Sequence, residues 1–302
     1  MKNTARYVAL FGAFAMLGVG GIAGWTVVAR RFEQRITPSV MANEIHAAII
    51  EAAKPRTLRE QAKLIAADFY ETPHALDACS VIATHDLQRL RGLINSGVDT
   101  NVRGKSGLTL LHWALLSENL DAFKLLLASG ADLDNTLTES ISFPAAHGFY
   151  AGDSVLFACC QFHQTNKWEF FFAALDHSSE KDPRDSSGNT LLLRCMGPNV
   201  IFSVKEEVVV RIIDHGVDLD AQDSRLGCTA AKVALSWGRP DFCRKILEAG
   251  ADPDIRDKRG NTIADDMEVR SIQEGMFGSA NHPAELKRLA IWLADHANQV
   301  QP

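Results

Sequence analysis

The sequence 107-GLTLLHWALLSENLDAFKLLLASGAD-132 holds two short helical patterns separated by a polar break. Thr109 can cap a helix over residues 110–116, in which apolar side chains recur on one side. Residues 120–127 then place apolar side chains at three- and four-residue spacing, and Gly130 can end this second helix in the left-handed conformation. The stretch therefore predicts one helix-turn-helix unit.

Near-copies of this unit follow one another along the chain, and we number them in chain order. Unit 1 runs from Leu76 to Asp99, and its Gly-Val-Asp ending precedes the Gly-Ala-Asp of unit 2 by 33 residues. The glycine-to-glycine intervals are then 45, 36, 39 and 33 residues, counted between Gly107, Gly152, Gly188, Gly227 and Gly260. One such unit cannot bury its apolar side alone, so stacked neighbours must complete each core.

The unit resembles an ankyrin repeat, whose usual signature is Gly-x-Thr-Pro-Leu-His-x-Ala followed by a leucine-rich helix and Gly-Ala-Asp. Leu110 replaces the family's proline, and the matching residues are Thr109, Leu111, His112, Ala114, Gly130, Ala131 and Asp132. The resemblance covers roughly residues 76–266. It implies an all-α solenoid of five to six divergent repeats with short β-hairpin fingers, in which His112 hydrogen-bonds within the repeat framework.

The N-terminus carries an uncharged stretch over residues 7–29, bounded by Lys2 and Arg6 before it and Arg30 and Arg31 after it. Its 23 residues exceed the roughly 20 that cross a bilayer. We predict a single transmembrane helix there, with the lipid bilayer as its partner. A cleaved signal peptide is the alternative, although its apolar part would be shorter. A short basic tail before such a span favours an inner-membrane protein with a periplasmic repeat domain.

Proline and glycine divide the remaining chain. We predict a membrane anchor over residues 1–35 and a helical linker or N-terminal cap over 36–73, with helices at about 39–53 and 57–70. The repeats are predicted over 74–266. A C-terminal capping region follows over 267–302, with an amphipathic helix at about 283–297.

Charge separates the anchor from the body. The whole chain has a net charge of −6, and residues 1–35 carry five basic residues and one acidic residue, so the body carries −6 − 4 = −10. Nucleic acid is bound by basic surfaces, and so an acidic body predicts no nucleic-acid partner. A basic or apolar protein partner fits it better.

The cysteines and histidines do not form a recognisable catalytic or metal site. Cysteines at 159, 160, 195 and 243 fall among apolar neighbours on predicted helices, and we interpret them as buried thiols. The adjacent pairs Asp176-His177 and Asp214-His215 lack a nucleophile motif, and Cys160 with His163 lacks a second pair of metal ligands. We therefore predict no cofactor, no metal and no enzymatic activity.

Two enlarged loops carry apolar residues that we predict to bind a protein partner. An insertion between Asp134 and Gly152 forms an extended finger, and residues 197–203 widen the turn of unit 4. The candidate residues are Ile141, Phe143, Phe149, Tyr150, Val200, Ile201 and Phe202. The alternative is that these side chains fold back onto the stack.

An anchor, a helical segment and divergent repeats together resemble bacterial membrane-anchored ankyrin-repeat immunity proteins of secreted type VI lipase effectors. This resemblance implies a non-catalytic protein that binds and inhibits a cognate toxin such as a phospholipase. The alternative is a membrane-tethered scaffold or adaptor that recruits a cytoplasmic partner.

Overall fold

The computed structural model describes residues 57–143, 147–161, 168–197, 200–201, 203–267 and 283–300. Within these ranges, no helix combines the length and the apolar character needed to cross a membrane. The predicted transmembrane helix over 7–29 and the predicted helix over 39–53 lie outside the described residues.

The described chain is a succession of short helices with one small β-hairpin. A first helix, α1, precedes the units at Leu58–Gln61. The units follow as helix pairs: α2 Pro73–Ala83 and α3 Leu87–Asn95, α4 Leu110–Leu116 and α5 Leu120–Ala128, α6 Val155–Gln161 and α7 Trp168–His177, α8 Leu191–Cys195 and α9 Glu206–His215, α10 Ala230–Ser236 and α11 Pro240–Glu248. Residues 263–267 are helical, and α12 spans Pro283–Val300.

Threonine and asparagine caps explain why these short helices start where they do. The side-chain oxygen of Thr190 accepts from the backbone N–H of Leu193, and that of Thr229 accepts from Lys232 in the same way. In unit 2, Asn119 caps α5 by accepting from the N–H of Ala122 at 3.0 Å. Each cap satisfies a donor that the first turn of a helix leaves unpaired.

One apolar core runs through all five units, as the repeat pattern predicts. The four leucines of α4 and Leu126 of α5 are fully buried, and each such burial stabilises the fold by about 1.5–3 kcal/mol. Trp113 Nε1 donates to the Cys79 carbonyl at 3.0 Å, and Asn119 Nδ2 donates to the Ile82 carbonyl at 2.8 Å. These two bonds join unit 2 to unit 1, so each helix pair depends on the one before it.

A ladder of hydrogen bonds joins the turns along one edge of the units. The N–H of Asp132 donates to Asn101 Oδ1 at 2.7 Å, 31 residues back in the chain. In the later units, the N–H of Asp252 donates to Asp220 Oδ1 at 2.8 Å. The Gly-Ala-Asp ending recognised in the sequence therefore positions successive turns against each other.

The prediction of one continuous helix over residues 57–70 is wrong. The structure has the single turn α1 and a 3-10 turn at Ala66–Asp68. Lys63 adopts the left-handed conformation at φ 55°, and the N–H of Leu64 turns back to the Arg59 carbonyl, which ends α1. The capping box of Thr57 and Glu60 is present as predicted.

The C-terminal helix packs against unit 5. It extends to Val300, three residues beyond the predicted end, and its Leu289 is buried. Arg244 of α11 pairs with Glu285 of α12 at 3.4 Å. The helix α12 therefore packs against α11.

Candidate protein-binding face

The insertion of unit 3 forms a two-stranded antiparallel hairpin, which we call the finger. Its strands are β1, Ile141–Phe143, and β2, His147–Phe149, with Ile141 opposite Phe149. Backbone bonds between Leu137 and residues 152 and 153 close its base, and the N–H of Thr138 donates to the Ser106 carbonyl of unit 2 at 2.9 Å. Backbone hydrogen bonds therefore hold the finger to units 2 and 3. The finger is the extended hairpin that the sequence predicts.

The predicted residues of the finger divide between core and surface. Phe149 is 1% exposed, with its ring centroid 5.7 Å from that of His112. Ile141 is half-buried, whereas Tyr150 is 42% exposed. Phe143 lies in β1, opposite His147. Phe149 therefore folds back onto the stack, as the alternative interpretation expects. Tyr150 has the largest exposed fraction among the predicted finger residues whose side chains are described.

The widened turn of unit 4 does not present its described apolar side chains to a partner. Val200 is 3% exposed and Ile201 is 0% exposed, while Phe202 lies outside the described residues. The Ile201 carbonyl accepts from Arg239 Nη1 of unit 5 at 3.2 Å. Partner binding through Val200 and Ile201 is thus corrected to a packing role, because both side chains are buried in the apolar core.

Tyr150 lies over a charged group that the sequence did not single out. The guanidinium carbon of Arg194 is 5.1 Å from the centroid of the Tyr150 ring. Arg194 Nη2 donates to Asp153 at 2.5 Å, and Arg194 Nη1 donates to Asp185 at 3.0 Å. Both carboxylate side chains are 0% exposed, and the arginine side chain is 17% exposed. We call these three charged residues the Arg194 hub.

The Arg194 hub joins units 3 and 4. Asp153 also accepts from Ser186 Oγ at 3.2 Å, and Asp185 accepts from the N–H groups of Ser187 and Asn189. Burial raises the pKa of Asp153 against the opposing effect of the Arg194 charge. Removing one member of a buried ion pair leaves the charge of the other member uncompensated. The Arg194 hub therefore requires all three of its charged residues.

His112 takes the framework role that the resemblance implied. Its Nδ1 accepts from the backbone N–H of Thr109 at 3.3 Å and lies 3.0 Å from Thr109 Oγ1. Burial, and secondarily the charge of Arg103, lowers the pKa of His112 to about 3. The imidazole is therefore neutral at physiological pH and closes the first turn of α4.

Unit 5 has a buried lysine where unit 2 has this histidine. Lys232 Nζ lies 3.2 Å from Asp257 Oδ2 and 3.3 Å from Asp266 Oδ2, and it donates to the carbonyls of Asn261 and Thr262. A flexible four-carbon stem lets one ammonium reach all four groups. Sequence reasoning missed this role, although the position after Thr229-Ala230-Ala231 matches that of His112.

The predicted buried thiols are present. All six cysteines are free and buried, and burial raises the pKa of Cys159, Cys160 and Cys243. A buried thiol with a raised pKa is a poor nucleophile. In the part of the chain that the structure describes, no three His, Cys, Asp or Glu side chains are grouped to hold a metal, and His163 lies outside that part.

Known proteins share this arrangement of repeated helix pairs. A family model described as ankyrin repeats (many copies) matches residues 76–127. The chain is 26% identical over 203 residues to a Danio rerio protein named "Putative palmitoyltransferase ZDHHC13", and the match covers 59% of this chain and 30% of that protein. It is 29% identical over 93 residues to an ankyrin repeat-containing protein of Schizosaccharomyces pombe, covering 30% of this chain and 44% of that protein.

The chain spans less than half the length of either curated relative. Among solved structures, an ankyrin repeat domain from Acinetobacter baumannii is similar, with a TM-score of 0.54 at 20% identity. The similarity covers 71% of this chain and 96% of that domain. At this identity the likeness concerns the fold, which is a stack of helix pairs with fingers.

Proposed function

Because this chain is an ankyrin-repeat protein, we propose that it binds its protein partner through the face around Tyr150, where the finger meets unit 4. One observation supports this choice most strongly. Tyr150 is 42% exposed, and its ring lies against the Arg194 guanidinium, which two buried carboxylates hold in place. The face thus presents an accessible aromatic group on a rigid base.

Such an aromatic group has the properties of an interface anchor. Tyrosine and arginine are enriched among the few residues that dominate binding energy in protein interfaces. A side chain that is already ordered loses less conformational entropy on binding, which is worth about 0.5–1.5 kcal/mol for each immobilised side chain. Tyr150 therefore combines accessible area with a geometry that is fixed before the partner arrives.

The partner's surface is basic in this proposal. The body after residue 35 has a net charge of −10, and complementary charge speeds association and selects against acidic proteins. Carboxylates lie near the base of the finger, where Glu139 accepts from Ser106 Oγ at 2.7 Å. A lysine- or arginine-bearing patch with a pocket for the Tyr150 ring fits both features.

For the biological role, we favour an immunity protein that holds a secreted antibacterial effector, such as a phospholipase, at the membrane. Three features of the sequence support this role: the uncharged stretch over residues 7–29, the acidic body and the resemblance to membrane-anchored ankyrin-repeat immunity proteins. The adaptor alternative places the repeats in the cytoplasm. A reporter enzyme fused after Pro302, active on only one side of the membrane, distinguishes the two topologies.

Site-specific photocrosslinking in the native cell tests the face itself. A photoreactive amino acid replaces Tyr150 in one full-length variant and Leu226 in another. Leu226 is a matched control because it is also 42% exposed but lies in the turn that begins unit 5. The proposal expects one basic protein to crosslink at 150 and not at 226. Equal crosslinking at both positions, or crosslinking at 226 alone, contradicts it.

A further inference from the structure

The C-terminal helix α12 has a packed side and an outer side. The packed side carries Leu289, which is fully buried, and Leu286 and Leu293, which pack against the same apolar core. At about 3.6 residues per turn, Ile291 lies about 160° around the helix from both Leu289 and Leu293. The Ile291 side chain is 52% exposed. Ile291 therefore faces away from unit 5, on the side that the described units leave open.

The exposed positions of α12 form a stripe along this outer side. We call it the outer stripe, and it consists of Ala284, Lys287, Arg288, Ile291, Ala294, Asp295 and Asn298. These residues recur at three- and four-residue spacing, so they share one helix face. Among the exposed large apolar side chains of the described ranges, Ile291 alone lies within a helix, whereas the others lie in turns and loops. An apolar centre with a polar margin is the composition of a protein interface.

The charged residues of the outer stripe are placed symmetrically about Ile291. Lys287 precedes it by four residues, and Asp295 follows it by four. Neither has an oppositely charged residue three or four positions away on α12, and neither forms an ion pair within the described ranges. Arg288, by contrast, pairs with Glu285 of the same helix. The stripe thus presents a cation and an anion at equal distances from its apolar centre.

We propose that two copies of this chain associate through their outer stripes as an antiparallel helix pair, with the two Ile291 side chains in contact at the two-fold axis. A two-fold contact is self-complementary, so each residue meets the one equally far beyond the axis on the other copy. Lys287 of each copy therefore lies beside Asp295 of the other, about 6 Å along the helix from the axis. A parallel pair would instead bring like charges together, so the charges select the antiparallel arrangement.

Small residues on either side of Ile291 let the two helices approach. Ala284 and Ala294 present only a methyl group, and helices pack with about 8–10 Å between their axes. In the antiparallel arrangement, the aliphatic stem of Lys287 covers Ala294 of the other copy while its ammonium reaches Asp295. The helix α12 has 18 residues and is about 27 Å long, so the contact buries less than the roughly 1,600 Å² of a standard interface. We therefore expect a dimer that forms reversibly.

The local charge of the outer stripe favours a second copy over other partners. The body of the chain carries a net charge of −10, which repels another copy at long range. The outer stripe, however, carries two basic residues and one acidic residue. Salt screens exposed charges beyond about 8 Å at physiological ionic strength, so the charges at the contact matter most. A uniformly acidic or basic partner would leave one sign of charge opposed, whereas a second copy pairs both Lys287 and Asp295.

Crosslinking of the full-length chain in its native cell tests the contact. Ile291→Cys places a thiol at the proposed axis, and a short bis-maleimide joins two such thiols. The six native cysteines are buried and should not compete. Ile65→Cys is the matched control, because Ile65 is 62% exposed and precedes unit 1. We expect a species of twice the chain's mass from Ile291→Cys and none from Ile65→Cys. No such species, equal yields from both, or a crosslink from position 291 to a different protein overturns the proposal.

Charge reversal tests the antiparallel register. In the Ile291→Cys background, Lys287→Glu leaves two acidic residues to face each other across the contact, and Asp295→Lys leaves two basic ones. Each variant should lower the yield of crosslinked homodimer at least about five-fold, because two attractive pairs become repulsive. Expressed together with different tags, the two variants should crosslink to each other at the yield of Ile291→Cys alone.

Two results of the charge reversal would overturn the proposal. One is an unchanged homodimer yield in both variants, which a dimer held by another segment of the chain would give. The other is a lowered yield with no recovery when the two variants are expressed together. The Tyr150 face takes no part in either measurement, so these outcomes are separate from those of the proposed function.

Discussion

Arg194 of unit 4 donates to the buried carboxylate of Asp153 in unit 3 at 2.5 Å, across the junction on which Tyr150 lies. The two residues are 41 positions apart in the chain. Their contact links the stacking of the units to the proposed binding face, because the arginine that joins the units also supports the exposed ring. Stability and binding can therefore be separated only by variants that alter one of the two contacts.

Replacement of Arg194 by methionine should destabilise the protein strongly. It leaves Asp153 and Asp185 buried without their cation, for which we expect a loss of about 3–5 kcal/mol in unfolding free energy. Chemical denaturation measures this loss. Arg211→Met is the control, since its partner Asp176 is exposed and such a surface pair contributes about 1 kcal/mol or less. Equal losses for the two variants would contradict the assigned importance of the Arg194 hub.

Replacement of Lys232 by methionine should loosen the end of the repeats. Asp257 and the carbonyls of Asn261 and Thr262 lose their shared donor, and the loss should approach the range of about 3–5 kcal/mol for a broken buried pair. Hydrogen exchange should accelerate over residues 251–267. Lys258→Met, at an exposed lysine that donates to the Ser224 carbonyl, should leave that exchange unchanged. Similar exchange rates in both variants would show that Lys232 does not stabilise residues 251–267.

His112 should make stability depend on pH. Its pKa is about 3 in the folded chain and ordinarily about 6.5, so between these values the unfolded chain binds more protons. Stability is thus lost as pH falls from 6.5 towards 3, with a slope of up to about 1.4 kcal/mol per pH unit. His112→Gln keeps an acceptor for the Thr109 N–H and should flatten the slope.

The difference between the wild type and His112→Gln is the informative quantity. Unfolding free energies should be measured between pH 6.5 and about 5, which lies above the ordinary carboxyl pKa range of about 3.9–4.3, so that aspartates contribute little to the slope. Parallel pH profiles for the two proteins would contradict a buried, neutral His112.

The six cysteines should resist thiol reagents in the native state. All are free and buried, so a chromogenic disulfide should react with none of them quickly and with all six after denaturation. Six reactive thiols per denatured chain, counted in both oxidised and reduced preparations, would confirm that no disulfide forms. Rapid reaction of several thiols in the native protein would mean that the core is open.

The sequence predicted the repeat register well because the signals are local. Thr109, Leu111 and Gly130 each specify a cap, a packed position or a turn, and the structure places α4 at Leu110–Leu116 as expected. The finger was also predictable as an insertion, since the interval of 45 residues exceeds the repeat length of 33.

The partners of charged and apolar side chains were not predictable. No pattern indicates which aspartate meets Arg194, because Asp153 lies in another unit, and Lys232 differs from His112 while occupying the same position. Nor does a pattern indicate that Val200 and Ile201 are buried, or that the Ile201 carbonyl accepts from Arg239, which only the packed units bring close. The break at Lys63 was missed because a left-handed lysine carries no sequence signal.

The most direct test of the binding face is the affinity of the crosslinked partner for two variants of the full-length chain. Tyr150→Ala should weaken binding by about ten-fold or more, because truncating an anchor residue removes at least about 1.4 kcal/mol. Tyr150→Phe keeps the ring over Arg194 and should bind within about three-fold of the wild type, since it loses at most one exposed hydrogen bond. Unchanged affinity in Tyr150→Ala, with its unfolding free energy also unchanged, would contradict the account.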